Sequence, residues 1–279
     1  MQKKIVVCLD GSQYTDSILS LNRWVSEALS LPTMLLHVAE PHSEYVARPN
    51  LSGAIGMGAK TILLEELSAS DEAHGKEEQE KGNRILKEAE DQLKSHSDMV
   101  TETLHVRGDF VETILEVKPE TSLVILGKRG EHHDQDSKHL GSNVEDLIRT
   151  IKLPILVASK VVTVPIERYM LLCDNDKDTQ QLIDFITSNN LLKNTECHLV
   201  LLHETNHKPF VDKLEATSAN VELYPGESCS LDAIPDYIKD NNINLLVTRS
   251  YRHSRIYDFI FEGHTNKLLT KTRIPLLLL

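Results

Sequence analysis

Short apolar runs alternate with amphipathic segments along the first half of the chain. The run KIVVCLD ends at Asp10, and Ile18, Leu21 and Val25 then recur at helical spacing before a second apolar run, TMLLHV. A strand, a helix and a strand in this order predict a parallel pair joined by a right-handed crossover.

The alternation continues to about residue 160. The charged segment 71–97 carries a narrow apolar stripe at Ile85, Leu86, Ala89 and Leu93, which predicts a long exposed helix, whereas 41–70 fits no single element. VTETLHVRGD then predicts a strand with one covered face, and FVETILEV predicts a short helix capped by the preceding aspartate. The apolar runs SLVILG and PILVAS flank a last helix, so five strands are predicted.

The second half repeats this order. YMLLCDND matches KIVVCLDGS, VELYPGES matches LHVRGDF, NLLVTRS matches SLVILGKR, and the final PLLLL matches PILV. We therefore predict an α/β protein with two tandem five-stranded parallel-sheet domains, residues 1–160 and a shorter 161–279. The long charged helix has little or no counterpart in the second domain.

Composition narrows the function classes. Of 279 residues, 40% are hydrophobic and 26% are charged, enough apolar material for a packed core, and the formal charge is −12. Without clusters of Lys and Arg, the chain is not expected to bind nucleic acid. The four cysteines lack disulfide or zinc spacing, and no run reaches membrane-spanning length, so a cytoplasmic protein with reduced thiols is expected.

Three segments of the first half predict an anion site. Asp10 ends the first strand, Gly127 and Gly130 follow the fourth, and Gly141 with Ser142 opens a helix. The carboxyl ends of parallel strands meet where ligands bind in open sheets. Glycines let backbone N–H groups approach a phosphate, and the helix start adds unpaired N–H groups. Lys128 or Arg129 would assist the backbone.

This Gly-x-x-Gly, spacer, Gly-Ser arrangement, together with Asp10, resembles the universal stress protein family, and the duplication resembles its tandem members. The resemblance implies a Rossmann-like fold of the adenine nucleotide alpha hydrolase type, ATP binding with accompanying Mg²⁺, and a pseudo-dimer in the stress response. It places Asp10 and Val38 at the adenine and ribose end.

The same resemblance places Gly127 and Gly130 along the ribose-phosphate turn and Gly141, Ser142 and Asn143 at the phosphates. Two departures accompany it. The spacer before Gly141 is one residue longer than usual, and Arg249, Arg252 and His264 replace Gly127, Gly130 and Ser142 in the second domain. We therefore expect the second domain not to bind ATP.

Other interpretations of these residues stay open at this stage. Ser142 with Glu145 also fits a capping box, and Asp10 also fits a helix cap. The histidines of 131–139 suit a transition metal as well as a solvated loop, although no metal is expected. In the second domain, RSYRHSRIYDFIF fits either an anion-binding segment or a loop folded over a vacant site.

Three functions are compatible with the sequence. The first is an ATP-binding regulator or interaction module that is not an enzyme, because no nucleophile with an adjacent base and no Walker motif is present. The second is a slow ATPase using Asp10 and the loop histidines, and the third is a ligand-free scaffold. The apolar strands PILVAS and PLLLL are expected at sheet edges, where the two halves or a second copy would cover them.

Overall fold

The structure is a computed structural model that describes eight stretches of the chain. They are residues 3–40, 57–95, 101–130, 141–173, 175–202, 206–224, 233–249 and 274–279. For residues 57–74 and Thr101 the backbone alone is described.

The described part of the first half contains five strands and four α-helices in alternation. The strands are β1 (Lys4–Cys8), β2 (Thr33–Ala39), β3 (Thr101–Arg107), β4 (Thr121–Gly127) and β5 (Ile155–Ala158). The helices are α1 (Thr15–Leu29), α2 (Met57–Lys94), α3 (Phe110–Val117) and α4 (Ser142–Thr150). All five predicted strands are present.

The second half repeats the pattern with shorter connections. Its strands are β6 (Arg168–Cys173), β7 (Glu196–Leu201), β8 (Asn220–Tyr224), β9 (Leu245–Thr248) and β10 (Leu276–Leu278). Its described helices are α5 (Asp176–Ser188), α6 (Lys208–Glu215) and α7 (Ile234–Asp240). The eight-residue α6 stands where the first half has the 38-residue α2, as the sequence predicted.

The ten strands form one sheet in the order β3-β2-β1-β4-β5-β10-β9-β6-β7-β8. Every neighbouring pair is parallel except β5 and β10, which are antiparallel, with Leu156 opposite Leu277. Of the two alternatives that the sequence left open, cover by the other half or by a second copy, the structure shows the first. Because of this pairing, the carboxyl ends of the two sets of strands point in opposite directions.

The inner strands β1, β4, β5 and β6 are buried on both faces, which explains their continuous apolar runs, whereas the outer strands β3 and β8 are partly exposed. Ile5 and Val7 of β1 face one core, whereas Val6 and Cys8 face the other. Each core continues across the β5–β10 pair into the second half, where Leu277 belongs to the first core. Alternating side chains of one strand therefore contribute to both layers of helices.

Local signals account for the helix ends. Helix α1 buries Ile18, Leu21 and Val25 and ends at Ser30, whose φ of 52° is left-handed. The Glu112 amide donates to the Asp109 side chain at 2.8 Å, which confirms the predicted cap of α3.

Helix α2 begins earlier than the charged segment that predicted it. It includes Met57 and continues to Lys94, so the stretch left unassigned in the sequence contributes its first turns. The predicted stripe is confirmed, since Leu86, Ala89 and Leu93 are buried and Ile85 packs against the same core. No helix of the described residues is long and apolar enough to cross a membrane.

Because the two halves share a core across the β5–β10 pair, we expect their stabilities to be coupled, and the fluorescence of the single tryptophan should report the coupling. Trp24 packs against the first core, whereas the fully buried Leu277 lies in the second half. We expect Leu277→Ala to lower the free energy of unfolding by about 2–5 kcal/mol. The midpoint of urea unfolding, followed by Trp24 fluorescence, should fall accordingly.

Leu223→Ala is the control for this measurement, because Leu223 is 36% exposed on the outer strand β8. Its effect should stay below about 1 kcal/mol. A Trp24 midpoint that Leu277→Ala leaves unchanged would mean that the halves unfold independently.

Candidate functional site

The predicted site lies at the carboxyl edge of the first five strands. In the order β3-β2-β1-β4-β5, the chain adds β2 and β3 on one side of β1 and then adds β4 and β5 on its other side. A crevice opens at such a reversal of strand order, beyond the ends of the strands. Asp10, Val38 and Gly127 lie at or just beyond the ends of β1, β2 and β4.

Asp10 shapes the turn after β1 and does not cap the next helix. Its Oδ1 accepts a hydrogen bond from the Ser12 amide at 2.9 Å. Helix α1 begins after Tyr14, and no side chain of the described residues caps it. The alternative reading of Asp10 as a helix cap is therefore wrong. Its Oδ2 is directed toward Gly130, where an added β-carbon would lie 3.4 Å away.

Gly127 has a packing role. A β-carbon at this position would lie 2.9 Å from Cβ and 3.1 Å from Cγ of Tyr14, which is 1% exposed. Atoms that close overlap, and Tyr14 has no room to move within the core. The glycine that ends β4 is thus required by its close contact with Tyr14.

Gly141 brings the start of α4 against the turn after β4. Its amide donates to the Lys128 carbonyl at 3.1 Å, and a β-carbon would lie 3.4 Å from Arg129 Cα and 3.6 Å from Gly130 N. Two segments that are ten residues apart in the chain therefore meet backbone to backbone. This contact joins two of the three segments of the predicted site.

The capping box that Ser142 and Glu145 also fit in the sequence is not formed. Gly141 is the N-cap residue, no side-chain cap bond is made among the described residues, and Glu145 lies 3.6 Å from Arg149 instead. The Gly141 carbonyl accepts from the Val144 and Glu145 amides. The amides of Ser142 and Asn143 come earlier in the helix, where no carbonyl of the preceding turn can reach them.

The end of β2 contacts the same helix start. Asn143 Nδ2 donates to Glu40 Oε1 at 3.0 Å. Val38, two residues earlier, is partly buried and packs against the second core. Asp10, Gly130, Gly141 and Asn143 thus lie close together at this edge of the sheet, with Glu40 after β2 beside them, whereas Val38 packs into the core.

Two buried cations follow β4 in the same turn. Lys128 and Arg129 are 7% and 9% exposed, far less than a solvated loop would allow. Burial, and then the charge of Arg129, lower the pKa of Lys128 from 10.5 to about 7. The sequence indicated the positive charges but not their burial.

A cluster that the sequence did not predict lies under α2. A β-carbon at Gly82 would lie 2.5 Å from both His37 and His105, whose rings are 5.1 Å apart. His37 Nδ1 also bonds the Leu9 carbonyl at 2.7 Å, and burial, followed by His37, lowers the pKa of His105. The available signal was an isolated glycine inside a helical pattern, which often marks close packing.

A pocket of about 360 Å³ adjoins this cluster, with Lys76, His105 and Arg107 among its lining residues. It lies between α2 and the ends of β2 and β3. The sequence gave no indication of it, because its residues come from three separate elements.

In the second half, the position of Gly127 carries a side chain that forms an ion pair. Arg249 Nη1 lies 3.3 Å from Asp178 Oδ1 at the start of α5. Arg252, His264 and the histidines of 131–139 lie outside the described residues. Among described thiols, Cys8, Cys173 and Cys197 are buried, and burial raises the pKa of each, that of Cys197 to about 12.

Comparison with known structures identifies proteins that share this fold. A universal stress protein from Archaeoglobus fulgidus DSM 4304 aligns with 100% of this chain and 98% of its own, with a TM-score of 0.64 and 14% identity. A functionally unknown protein from Pseudomonas aeruginosa PAO1 aligns with 100% of this chain and 92% of its own, with a TM-score of 0.55 and 14% identity. The architecture is thus that of a duplicated α/β protein with a Rossmann-like sheet.

Sequence comparison gives the family. The model of the universal stress protein family matches residues 1–159. Universal stress protein Slr1230 of a Synechocystis species is 29% identical over 286 aligned positions, covering 99% of each chain. This chain belongs to the universal stress protein family.

The contact between Gly127 and Tyr14 yields a stability prediction. We expect Gly127→Ala to lower the free energy of unfolding by about 1–3 kcal/mol, since the added methyl group overlaps a fully buried ring. Gly108→Ala is the control, because nothing lies within 4 Å of its added β-carbon. If urea unfolding showed that both variants lower the free energy of unfolding equally, the packing role of Gly127 would be contradicted.

The buried Lys128 yields a pH prediction. Its folded pKa of about 7 lies below the 10.5 of the exposed amine, so the folded state releases the proton first. Unfolding free energy, relative to a Lys128→Met variant, should therefore be lowest below pH 7 and rise toward pH 10, by at most about 1.4 kcal/mol per pH unit. Lys152→Met, at an exposed position, is the control and should not change the pH dependence of the unfolding free energy. If the difference in unfolding free energy between the wild type and Lys128→Met did not change with pH, the lowered pKa of Lys128 would be refuted.

Proposed function

We propose that the first half of the chain, residues 1–160, binds ATP at the carboxyl-edge crevice and that the protein acts as a nucleotide-responsive regulator or interaction module. The observation that carries the proposal is the close approach of Gly130, Gly141 and the Asp10 carboxylate at the carboxyl edge of the first five strands. Backbone amides at a helix start, close to glycines, favour a phosphate group.

Each residue has a role in this proposal. Asp10 and Val38 bind the adenine and ribose end, and Gly130 lines the turn toward the phosphates. Ser142 and Asn143 offer the amides at the start of α4, where the positive end of the helix dipole adds attraction for an anion. Arg129 supplies positive charge.

Two further glycines act through the backbone. Gly127 holds the turn against Tyr14, and Gly141 positions the helix start against that turn. Mg²⁺ would accompany the triphosphate and neutralise part of its charge. Its ligands would be phosphate oxygens and water, so the proposal needs no dedicated metal cluster in the protein.

The second half, residues 161–279, is proposed not to bind ATP. The ion pair of Arg249 with Asp178 fills the position that Gly127 occupies in the first half. A long side chain there excludes close approach of a phosphate to the backbone. A single nucleotide per chain is therefore expected.

The proposed class is a binding protein, and support comes from the chemistry of the described residues. The described thiols are buried with raised pKa values, so none is a ready nucleophile. The lysine at the crevice is buried against Arg129. Positioning of a nucleotide without an activated water or nucleophile favours binding over turnover.

Calorimetry with ATP and Mg²⁺ tests this proposal. The wild type should bind one ATP per chain, and Gly130→Val should weaken binding at least about ten-fold, or 1.4 kcal/mol, because the branched side chain occupies the space beside Asp10. Gly108→Val, at the open end of β3, should bind as the wild type does.

If the wild type showed no heat of ATP binding, or if Gly130→Val bound ATP as tightly as the wild type, the proposal would be wrong. A scaffold that binds no ligand at this site would then be the remaining hypothesis. Phosphate release should be followed in the same samples. Turnover above about one per minute at saturating ATP would instead indicate a slow ATPase, since typical enzymes work at about 1–10³ per second.

A further inference from the structure

Three ligand-type side chains meet at the amino ends of the second set of strands. Glu196 and His198 are two residues apart on β7 and so share one face of the sheet. Glu222 of β8 is in register with His198. One nitrogen or oxygen atom from each of the three lies within 4.8 Å of the others.

The central histidine is buried and only half satisfied. Its side chain is 2% exposed, and Nδ1 lies 2.8 Å from the Tyr237 hydroxyl, which α7 brings over the sheet. Its Nε2 is buried without a hydrogen-bond partner among the described residues, although it lies 3.3 Å from Glu196 Oε1. A buried ring nitrogen in this situation calls for a partner.

The two carboxylates approach different nitrogens of the His198 ring, Glu196 at Nε2 and Glu222 at Nδ1, and they differ in how firmly they are held. Glu196 is fixed, because its Oε2 accepts from Arg168 Nε at 3.0 Å while Oε1 stays toward His198. Glu222 is 49% exposed, and its Oε2 lies 3.6 Å from His198 Nδ1. One carboxylate is thus pre-positioned and the other lies at the solvent side.

We propose that Glu196, His198 and Glu222 form a binding site for a divalent transition-metal ion, with Zn²⁺ as its representative. One imidazole nitrogen and two carboxylate oxygens are a ligand set that zinc accepts, with a fourth position left for water. Calcium and magnesium prefer oxygen ligands alone, so the buried imidazole selects against them.

Tyr237 fits the role of an orienting partner. A metal on Nε2 requires the ring proton on Nδ1, from which it is donated to the Tyr237 hydroxyl oxygen. Tyr237 is itself held by Tyr224, whose ring centroid lies 4.5 Å away. The tyrosine thereby fixes both the tautomer and the orientation of His198.

The first half lacks this set at the equivalent positions. Met34, which is buried, stands where the second half has His198, and it is in register with Glu102 as His198 is with Glu222. Pro32 stands in place of Glu196. Lys4 forms an ion pair with Glu102 at 2.7 Å. The second half therefore has a polar, ligand-rich cluster where the first has an apolar contact and an ion pair.

A metal here would stabilise the outer edge of the second half. Strand β8 is the last strand of the sheet, and a metal bridging Glu222 to Glu196 and His198 would join it to β7. An ion that binds only the folded state raises stability in proportion to the logarithm of its concentration. The proposal is independent of nucleotide binding.

Zinc titration by calorimetry tests the site. The titration is made in a chain carrying His132→Ala, His133→Ala and His139→Ala, so that the other histidine-rich segment makes no contribution. One Zn²⁺ should bind per chain, and zinc should raise the unfolding temperature. Glu222→Gln should weaken binding at least ten-fold, because loss of even an outer-shell partner costs about 10- to 100-fold.

Glu102→Gln is the matched control, since this glutamate occupies the equivalent strand position beside Met34, and it should leave zinc affinity unchanged. Tyr237→Phe should weaken binding about ten-fold. His198→Gln should abolish binding, and Glu222→Gln decides the outcome if that variant fails to fold.

Three results would overturn the proposal. The first is no zinc binding by the background chain, and the second is equal affinity in Glu222→Gln and Glu102→Gln. The third is Ca²⁺ binding as tightly as Zn²⁺, which is incompatible with a site that depends on the imidazole.

Discussion

The antiparallel pairing of β5 with β10 is the constraint on which the rest of the structure depends. Each strand would otherwise end a five-stranded sheet and leave a row of unpaired N–H and C=O groups beside apolar side chains. Joining them makes one sheet and lets both cores continue across the joint. The same pairing reverses the second set of strands, so the crevice of the first half and its counterpart open in opposite directions.

Most of the fold follows from the sequence because its signals are local and repeated. The apolar runs that became β1, β4 and β5 are buried on both faces, and such runs are typical of parallel strands. The start of α2 could not be predicted, since the composition of residues 41–70 favours no element. Where the pattern of a single segment was too weak to predict an element, the same order of strands and helices in the other half supported the prediction.

The sequence identified the residues of the candidate site but not the structural reasons for them. Gly127, Gly130 and Gly141 were identified as glycines that admit a phosphate, yet Gly127 is required by Tyr14, more than a hundred residues away in sequence. The spacing of Ser142 and Glu145 left a capping box open as an alternative, whereas Gly141 is the N-cap residue in the structure. Burial of Lys128 likewise depends on tertiary packing, which no local pattern encodes.

The covalent connection between β5 and β6 has a further consequence. A dimer of two separate chains dissociates on dilution, whereas tethered halves meet at a high effective concentration whatever the abundance of the protein. The two halves can also change independently in sequence, because a difference such as Arg249 in place of the glycine at 127 affects one half and leaves the other intact. Gene duplication thereby converts a symmetric assembly into one whose two ends can specialise separately.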